Sequence, residues 1–228
     1  AVIGPNGSGK STLLHAMTGL LPLTEGTLEV KGFEPEQARN DIAYVLQHMN
    51  VSPGTPMTVQ EVVSMGRYST LGVFRRARSA DKEAVRDAMG LLRIDDLADR
   101  QVFRLSGGQR QRVFVAQALA QEHSLLLMDE PLTGLDIHSA QTIDHIIHEE
   151  PARGCSVVFT THDLEEARAA DHVILVNGYV VASGPPAEAL SDQNLATAYG
   201  LGLLHPETRS SRGVIDDAHD TSHLHGGV

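Results

Sequence analysis

The chain has 228 residues, 41 % of them hydrophobic, which is enough for one full-sized domain with a substantial core. Its formal net charge of −11 argues against a nucleic-acid-binding surface, which would normally be basic. Cys155 is the only cysteine, so an intramolecular disulfide is excluded and a reducing compartment is favoured. No apolar run approaches the ~18–20 residues that span a bilayer, so we expect any membrane association to go through a partner.

The chain opens on an apolar run, residues 1–3, and a glycine-rich stretch follows that predicts a phosphate-binding loop. This stretch has the spacing Gly, four residues, Gly-Lys-Ser and comprises Gly4, Pro5, Asn6, Gly7, Ser8, Gly9, Lys10 and Ser11, with Thr12 next in the predicted nucleotide-binding segment. The glycines let successive backbone N–H groups point into one concavity, and the helix that follows adds its positive dipole end. We predict that Lys10 reaches the β- and γ-phosphates of a nucleotide and that the Ser11 hydroxyl holds Mg²⁺.

Further along the chain, apolar segments that predict strands alternate with segments of helical periodicity. The predicted strands are residues 26–32, 42–46, 124–128 and 156–160, and a hairpin of 172–176 with 179–181 around Asn177-Gly178. The predicted helices are residues 59–65, a helix from 81 to 92, a run that follows the glycines at 107–108 and reaches 120, and 139–149. This alternation predicts an α/β fold with a mainly parallel sheet covered by helices.

Polar residues fall just past the ends of these predicted elements. They are Lys10, Gln47, Asp129, Glu130 and His162. Because ligands of such sheets bind at the carboxyl ends of the strands, we expect these side chains to converge on one edge.

The two acidic residues follow four apolar residues, which is the placement of a Mg²⁺-organising acid at the end of a buried strand. We predict that Asp129 coordinates the metal, directly or through water, and that Glu130 polarises the attacking water as general base.

Two further motifs are Leu-Ser-Gly-Gly-Gln at 105–109 and Asp-Glu-Pro-Leu-Thr-Gly-Leu-Asp at 129–136. The first resembles the signature motif of the ATP-binding cassette (ABC) ATPases, a P-loop NTPase family. The second resembles the acidic strand end of that family and the loop that crosses to the partner subunit. Gln47 and His162 match the glutamine and histidine switch loops in order and spacing. The resemblance covers about residues 1 to 200.

The resemblance implies a homodimer of cassettes that binds ATP and Mg²⁺. Two cassettes are expected to pack head to tail, each ATP lying between Lys10 of one chain and the signature of the other, with Ser106, Gly107, Gly108, Gln109 and Asp136 as further nucleotide-binding residues. It also implies that Gln47 senses Mg²⁺ and the attacking water, which makes it a metal residue beside Ser11 and Asp129, and that His162 bonds the γ-phosphate. Glu130, His162 and Gln47 are thus the expected catalytic residues.

The same resemblance predicts the domain organisation and the partners. We expect an ATPase domain at 1–204, with a catalytic core of 1–49 and 115–204 and an inserted α-helical subdomain of 50–114. Residues 50–66 are the predicted contact with an integral membrane permease, which would hold the chain at the cytoplasmic face of the plasma membrane. An extracytoplasmic solute-binding protein is a further expected partner, and nucleic acid is not.

The transporter type stays open between alternatives. Residues 57–67 are similar to importer cassettes of the manganese/zinc/iron chelate type, and the actinobacterial anchored repeat-type cassette is at least as similar. An exporter with separate membrane subunits is a third alternative. The antiparallel strands that precede the phosphate-binding loop in the family are expected to be missing or truncated. The tail, 205–228, holds His205, His219, His223 and His225 among carboxylates, which is typical either of a flexible polar segment or of a metal-binding one.

Overall fold

The computed structural model describes residues 1–47, 54, 56–68 and 77–200 of the chain. In these residues one sheet has the strand order β2-β3-β4-β1-β5-β6. The strands are β1 (Val2–Ile3), β2 (Ile42–Val45), β3 (Leu125–Met128), β4 (Ser156–Thr161), β5 (Val173–Val176) and β6 (Val180–Gly184).

The first strand lies in the middle of the sheet, where Val2 is opposite both Thr160 of β4 and Ile174 of β5. All neighbouring pairs from β2 to β5 are parallel, and β6 alone runs antiparallel, as the second strand of a hairpin with β5. The carboxyl ends of the five parallel strands therefore share one edge of the sheet. The predicted α/β class and mainly parallel sheet are confirmed.

Helices cover the sheet and fill the connections between strands. They are α1 (Lys10–Met17), α2 (Pro35–Ala38), α3 (Val59–Met65), α4 (Ser79–Leu91), α5 (Gly107–Ala120), α6 (Ile137–Glu149), α7 (Leu164–Arg168), α8 (Pro186–Ala189) and α9 (Asp192–Tyr199). Short 3₁₀ turns occur at Arg39–Asp41, Asp95–Leu97, Val102–Arg104 and Glu150–Arg153.

The core is built around β3, whose four residues are all buried. A continuous apolar run of this kind suits a strand that is covered on both faces. One hydrophobic cluster joins β3 to α3, α4, α5 and α6, with Val62, Val85, Val113, Leu126 and Ile143 among its members. The helical segment and the sheet thus share one core.

The predicted boundary of the helical subdomain, between residues 114 and 115, falls within α5. The helices α3, α4 and α5 do pack against one another. The division into a core and a helical subdomain stays a prediction. Part of the predicted permease contact and the whole tail from residue 205 lie outside the described residues.

One predicted strand is wrong. Residues 26–32 form no strand, and only Val30 makes an isolated bridge, to Phe33 three residues later. The alternation of apolar and polar residues agrees with the partial exposure of the segment, but within the described part of the chain no strand pairs with it. The other predicted strands and helices are present, with ends shifted by a few residues.

Among the helices of the described residues, none is long and apolar enough to cross a bilayer.

Candidate active site

The glycine-rich loop connects β1 to α1 and is held against the neighbouring β5–β6 hairpin. A Cβ atom on Gly4 would lie 2.0 Å from the carbonyl oxygen of Val176, so only glycine allows this close approach. The carbonyl of Ser8 accepts a hydrogen bond of 2.9 Å from the N–H of Gly178. Gly7 and Gly9 have φ values of 78° and 100°, a left-handed conformation that favours glycine. The loop therefore takes the curled form that the sequence predicted.

Lys10 starts α1 and lies beneath the loop, with only 5 % of the residue exposed. Its Nζ donates to the carbonyl oxygens of Gly4 at 3.0 Å and Pro5 at 3.3 Å. The same ammonium lies 3.8 Å from a carboxylate oxygen of Glu130. A single buried cation is thus placed between the loop and the acidic end of β3.

Glu130 is the point at which the predicted polar groups converge. Gln47 Nε2 donates to its Oε2 at 2.7 Å, and His162 Nδ1 lies 3.8 Å from the same oxygen. The Thr133 hydroxyl donates to that oxygen as well, at 3.4 Å. Glu130 has a φ of 46°, which is uncommon for a residue other than glycine and is often found at functional sites. The convergence of Lys10, Gln47, Glu130 and His162 is confirmed by this geometry.

Asp129 precedes Glu130 at the end of β3 and is buried. Its Oδ1 accepts a hydrogen bond of 2.5 Å from the Thr160 hydroxyl, and that hydroxyl accepts one of 2.8 Å from the N–H of Glu130. Thr160, at the end of β4, therefore fixes both acidic residues at once.

A cavity of about 790 Å³ opens over the loop at the carboxyl edge of the sheet. Its volume is within the range of small-molecule sites. The residues that line it are Pro5, Asn6, Gly7, Gly9, Lys10, Ser11, Thr12, Gln47, Glu130, Thr133, His162 and Tyr199. His162 is 54 % exposed, so its ring can reach a molecule in the cavity.

The predicted signature residues lie elsewhere. Ser106 caps α5 by accepting from the N–H of Gln109 at 3.2 Å, and the Gln109 side chain accepts from the N–H of Ser106 at 3.1 Å. A Cβ on Gly108 would lie 2.4 Å from Asp136 Oδ2, so the start of α5 packs closely on the start of α6. Ser106, Gly107, Gly108, Gln109 and Asp136 are all absent from the lining of the cavity.

Asp136 serves within the chain as the cap of α6. It accepts from the N–H and the hydroxyl of Ser139 at 2.9 and 2.8 Å, and these hydrogen bonds, the backbone one first, lower the pKa of its carboxyl group. The roles that the resemblance assigns to the signature and to Asp136 stay predictions.

The site residues fit ATP and Mg²⁺. An added Cβ on Gly7 or Gly9 would meet no atom within 4 Å, which leaves an open cradle for phosphate beside the lysine. The hydroxyl, amide and carboxylate oxygens of Ser11, Gln47 and Asp129 are the hard donors that Mg²⁺ prefers. A parallel α/β sheet with this loop and acidic strand end defines the class of the P-loop NTPases.

Comparison with known proteins gives the family within that class. The model of the ABC transporter family matches residues 1–133, more than half of the chain. The zinc transport system ATP-binding protein TroB of Treponema pallidum is 40% identical over 221 residues, which are 96% of this chain and 82% of that protein. The chain belongs to the ABC transporter family and is an ATP-binding subunit with ATPase activity.

Two further comparisons agree with this result. The manganese transport system ATP-binding protein MntA of Synechocystis sp. is 36% identical over 203 residues, 88% of this chain and 78% of that protein. A solved structure, provisionally described as a metal-chelate type ABC transporter in an inward-facing conformation, matches with a TM-score of 0.76 and 31% identity. That match covers 87% of this chain and 76% of the other.

Three residues of the site were not predicted from the sequence. Thr133 lies inside the motif 129–136, which offered a signal for it. Thr160 could have been suspected only as a hydroxyl at a strand end, and Tyr199, in the last turn of α9, gave no signal. Burial raises the pKa of the Tyr199 hydroxyl, which has no hydrogen-bond partner among the described residues.

Proposed function

We propose that the chain is the ATPase subunit of an importer for metal ions of the Mn/Zn/Fe type, and that it works as a homodimer bound to a separate membrane permease. The observation that carries the ATPase part is the convergence of Lys10, Gln47 and His162 on Glu130 at the mouth of the cavity. The similarity to TroB, a zinc transport protein, and to MntA, a manganese transport protein, supports this cargo.

The loop residues 4–12 hold the phosphates of ATP. Backbone N–H groups of the curled loop and the start of α1 face the anion, and Lys10 exchanges its carbonyl partners for phosphate oxygens. Ser11, Gln47 and Asp129 hold Mg²⁺, which when bound neutralises charge on the phosphates.

Glu130 accepts the proton of the attacking water. Its Oε2 is oriented by Gln47 and Thr133, so the carboxylate is fixed before a substrate arrives. His162, on the open side of the cavity, bonds the γ-phosphate and helps to hold the water. Each of these groups lies on a strand end or on the turn after it, which keeps the arrangement rigid.

The dimer supplies the second anion site. Ser106 is exposed and Gly107 has open space around its Cα, so the start of α5 is free to face another copy of the chain. In the closed dimer the signature of one chain, 106–109, covers the ATP that rests on the loop of the other, and Asp136 lies at the seam. Exclusion of water then strengthens every contact with the γ-phosphate.

The permease holds the dimer at the cytoplasmic face of the plasma membrane. The start of α3 and the residues before it, within 50–66, form the contact. An extracytoplasmic solute-binding protein delivers the metal ion to the permease.

A comparison of cells with and without this chain tests the proposed cargo. Cells that lack the chain are expected to accumulate less of one metal among manganese, zinc and iron, measured by elemental analysis. Equal contents of all three metals in the two kinds of cell would contradict the proposed cargo.

The variant Glu130→Gln tests the catalytic proposal. It keeps the size of the side chain and removes its basicity, so we expect ATP binding with turnover reduced about 100-fold or more, in the range of general-base effects. Because hydrolysis no longer opens the dimer, light scattering should show a dimer with ATP and a monomer without it. Undiminished hydrolysis would exclude Glu130 as the base.

A second substitution in that background tests the shared site. Ser106→Arg should abolish the ATP-dependent dimer while each chain still binds one ATP at its own loop. Thr58→Arg is a matched control, because Thr58 caps α3 through the same reciprocal hydrogen bonds, with Glu61, and lies away from the cavity. Loss of the dimer in both variants, or in neither, would contradict the proposed dimer interface.

A further inference from the structure

A second cluster of chemically active side chains lies at the opposite edge of the sheet. His123 is in the connection from α5 to β3, Glu150 starts the 3₁₀ turn after α6, and Cys155 directly precedes β4. The potential ligand atoms of these three residues all lie within 4.8 Å of one another. His123 Nε2 is 3.7 Å from Glu150 Oε2.

The cluster is buried, and one of its polar atoms has no hydrogen-bond partner in the described part of the chain. The side chains of His123 and Glu150 are each 6% exposed, and Cys155 is 7% exposed. His123 Nδ1 lies 2.7 Å from the carbonyl oxygen of Gln121, so in the neutral ring this nitrogen is the donor. The lone pair is then on Nε2, a buried atom that makes no hydrogen bond with the described residues. This is the arrangement in which metal-binding histidines are held.

The backbone around the cluster is fixed by hydrogen bonds. The N–H of Cys155 donates to the carbonyl of Glu150 at 3.2 Å, and the N–H of Ser156 donates to the carbonyl of Ser124 at 2.9 Å. Arg153 donates to the other carboxylate oxygen of Glu150, Oε1, at 2.9 Å. The oxygen that faces His123 therefore stays available, and the ligands come from turns that are already ordered.

The charges near the cluster nearly cancel. The positive charge of Arg153 offsets the negative charge of Glu150. At the margin of the cluster, Lys31 Nζ lies 3.5 Å from Asp41 Oδ2, so these two charges offset each other as well. Burial, and then Glu150, raise the pKa of the Cys155 thiol to about 11, so the thiol is neutral at physiological pH. Burial lowers the pKa of His123, but the Glu150 carboxylate and the Gln121 carbonyl raise it overall. A cation that binds here displaces these protons, and the thiolate it creates supplies the remaining negative charge.

We propose that His123 Nε2, Glu150 Oε2 and Cys155 Sγ bind a borderline divalent cation of the Zn²⁺ class. One imidazole, one thiolate and one carboxylate are the donors that this class accepts in tetrahedral sites, with water in the fourth position. Tetrahedral bonds of about 2.0–2.3 Å place ligand atoms about 3.5 Å apart. The three ligand atoms are up to 4.8 Å apart in the structure, and side-chain movements of about 1 Å would bring them to that distance.

The site is separate from the nucleotide cavity and does not depend on the proposed transport role. It ties together the far ends of α5 and α6, whose starts carry Ser106 and Asp136. The three ligands belong to segments far apart in sequence, so the cation cross-links the amino edge of the sheet.

Cobalt(II) is the probe for this site, because a Co²⁺–thiolate bond gives a charge-transfer band in the near ultraviolet. Cys155 is the only cysteine in the chain, so a thiolate band arises only when Co²⁺ binds at this cluster. Co²⁺ bound by other histidines, including those of the tail, gives no such band. The full chain, washed with a chelator and kept reduced by a phosphine, is titrated with Co²⁺ without nucleotide. We expect one thiolate-bound Co²⁺ per chain, displaced by Zn²⁺.

Variants assign the ligands. Cys155→Ser should remove the band, and His123→Gln and Glu150→Gln should each weaken Co²⁺ binding about tenfold or more, at least the effect of losing an outer-shell partner. His148→Gln is the matched control, since His148 is a half-exposed histidine two residues before Glu150, and its titration should equal that of the parent. Absence of the band in the folded parent at excess Co²⁺ would overturn the proposal, and so would an unchanged affinity in His123→Gln.

Discussion

The Thr160 hydroxyl joins the two acidic residues that end β3, and its removal gives a sharp test of the site. It is fully buried, donates to Asp129 Oδ1 at 2.5 Å and accepts from the N–H of Glu130 at 2.8 Å. Thr160→Val keeps the shape of the side chain and removes both hydrogen bonds. A carboxylate oxygen and a backbone N–H then lose their partner in a place that water reaches poorly.

The expected loss of stability follows from these two contacts. An unsatisfied buried group costs about 1–3 kcal/mol, so the two together cost about 3 kcal/mol. For a domain of this size that corresponds to a fall in Tm of about 6–12 °C. Thr160→Ser keeps the hydroxyl and loses one buried methyl group, which costs about 1 kcal/mol and about 2–4 °C.

Turnover should fall in parallel, because Glu130 holds an uncommon backbone conformation that the Thr160 hydroxyl helps to fix. Displacement of a positioned group by about 1 Å costs up to about 100-fold in rate, so we expect a loss of about 10- to 100-fold in Thr160→Val. Calorimetry and a steady-state ATPase assay measure the two effects. Equal Tm values for the Val and Ser variants, or full turnover in Thr160→Val, would refute the bridging role.

Two further predictions follow from other parts of the structure. Gly4→Ala places a Cβ 2.0 Å from the Val176 carbonyl oxygen, which forces the loop away from β5, and we expect ATP binding at least about tenfold weaker by equilibrium dialysis; unchanged affinity would show that the loop does not need this approach. With a pKa of about 11, the Cys155 thiol should react with iodoacetamide at pH 8 about 100-fold more slowly in the folded chain than in urea, by mass spectrometry. Equal rates would contradict its burial.

The nucleotide side of the molecule could be predicted because its signals are local in sequence. The loop spacing fixes Lys10 relative to Gly4, and an apolar run followed by Asp129 and Glu130 marks a buried strand with acids at its end. Once the sheet is parallel, strand ends must share an edge, so Gln47, Glu130 and His162 could be placed at the same edge. Their direct contacts depend in addition on β3 lying between β2 and β4.

What could not be predicted depends on which strands are neighbours. The contact of Thr160 with Asp129 exists because β4 pairs with β3 in one register. Residues 26–32 have the pattern of a strand, but a strand needs a partner strand, and within the described residues the backbone of this segment forms only the isolated bridge of Val30 with Phe33. His123, Glu150 and Cys155 are each unremarkable in the sequence, and only the packing of three connections makes them a cluster.

The polarity of the fold explains why the two sites lie at opposite edges. Helices that connect parallel strands run against them, so helix N-termini face the carboxyl edge and helix C-termini face the amino edge. The start of α1, with its unpaired N–H groups and positive dipole end, therefore lies where the phosphates are expected. The ends of α5 and α6, with their negative dipole ends, come just before His123 and Glu150. One topology thus offers an anion site at one edge and a favourable place for a cation at the other.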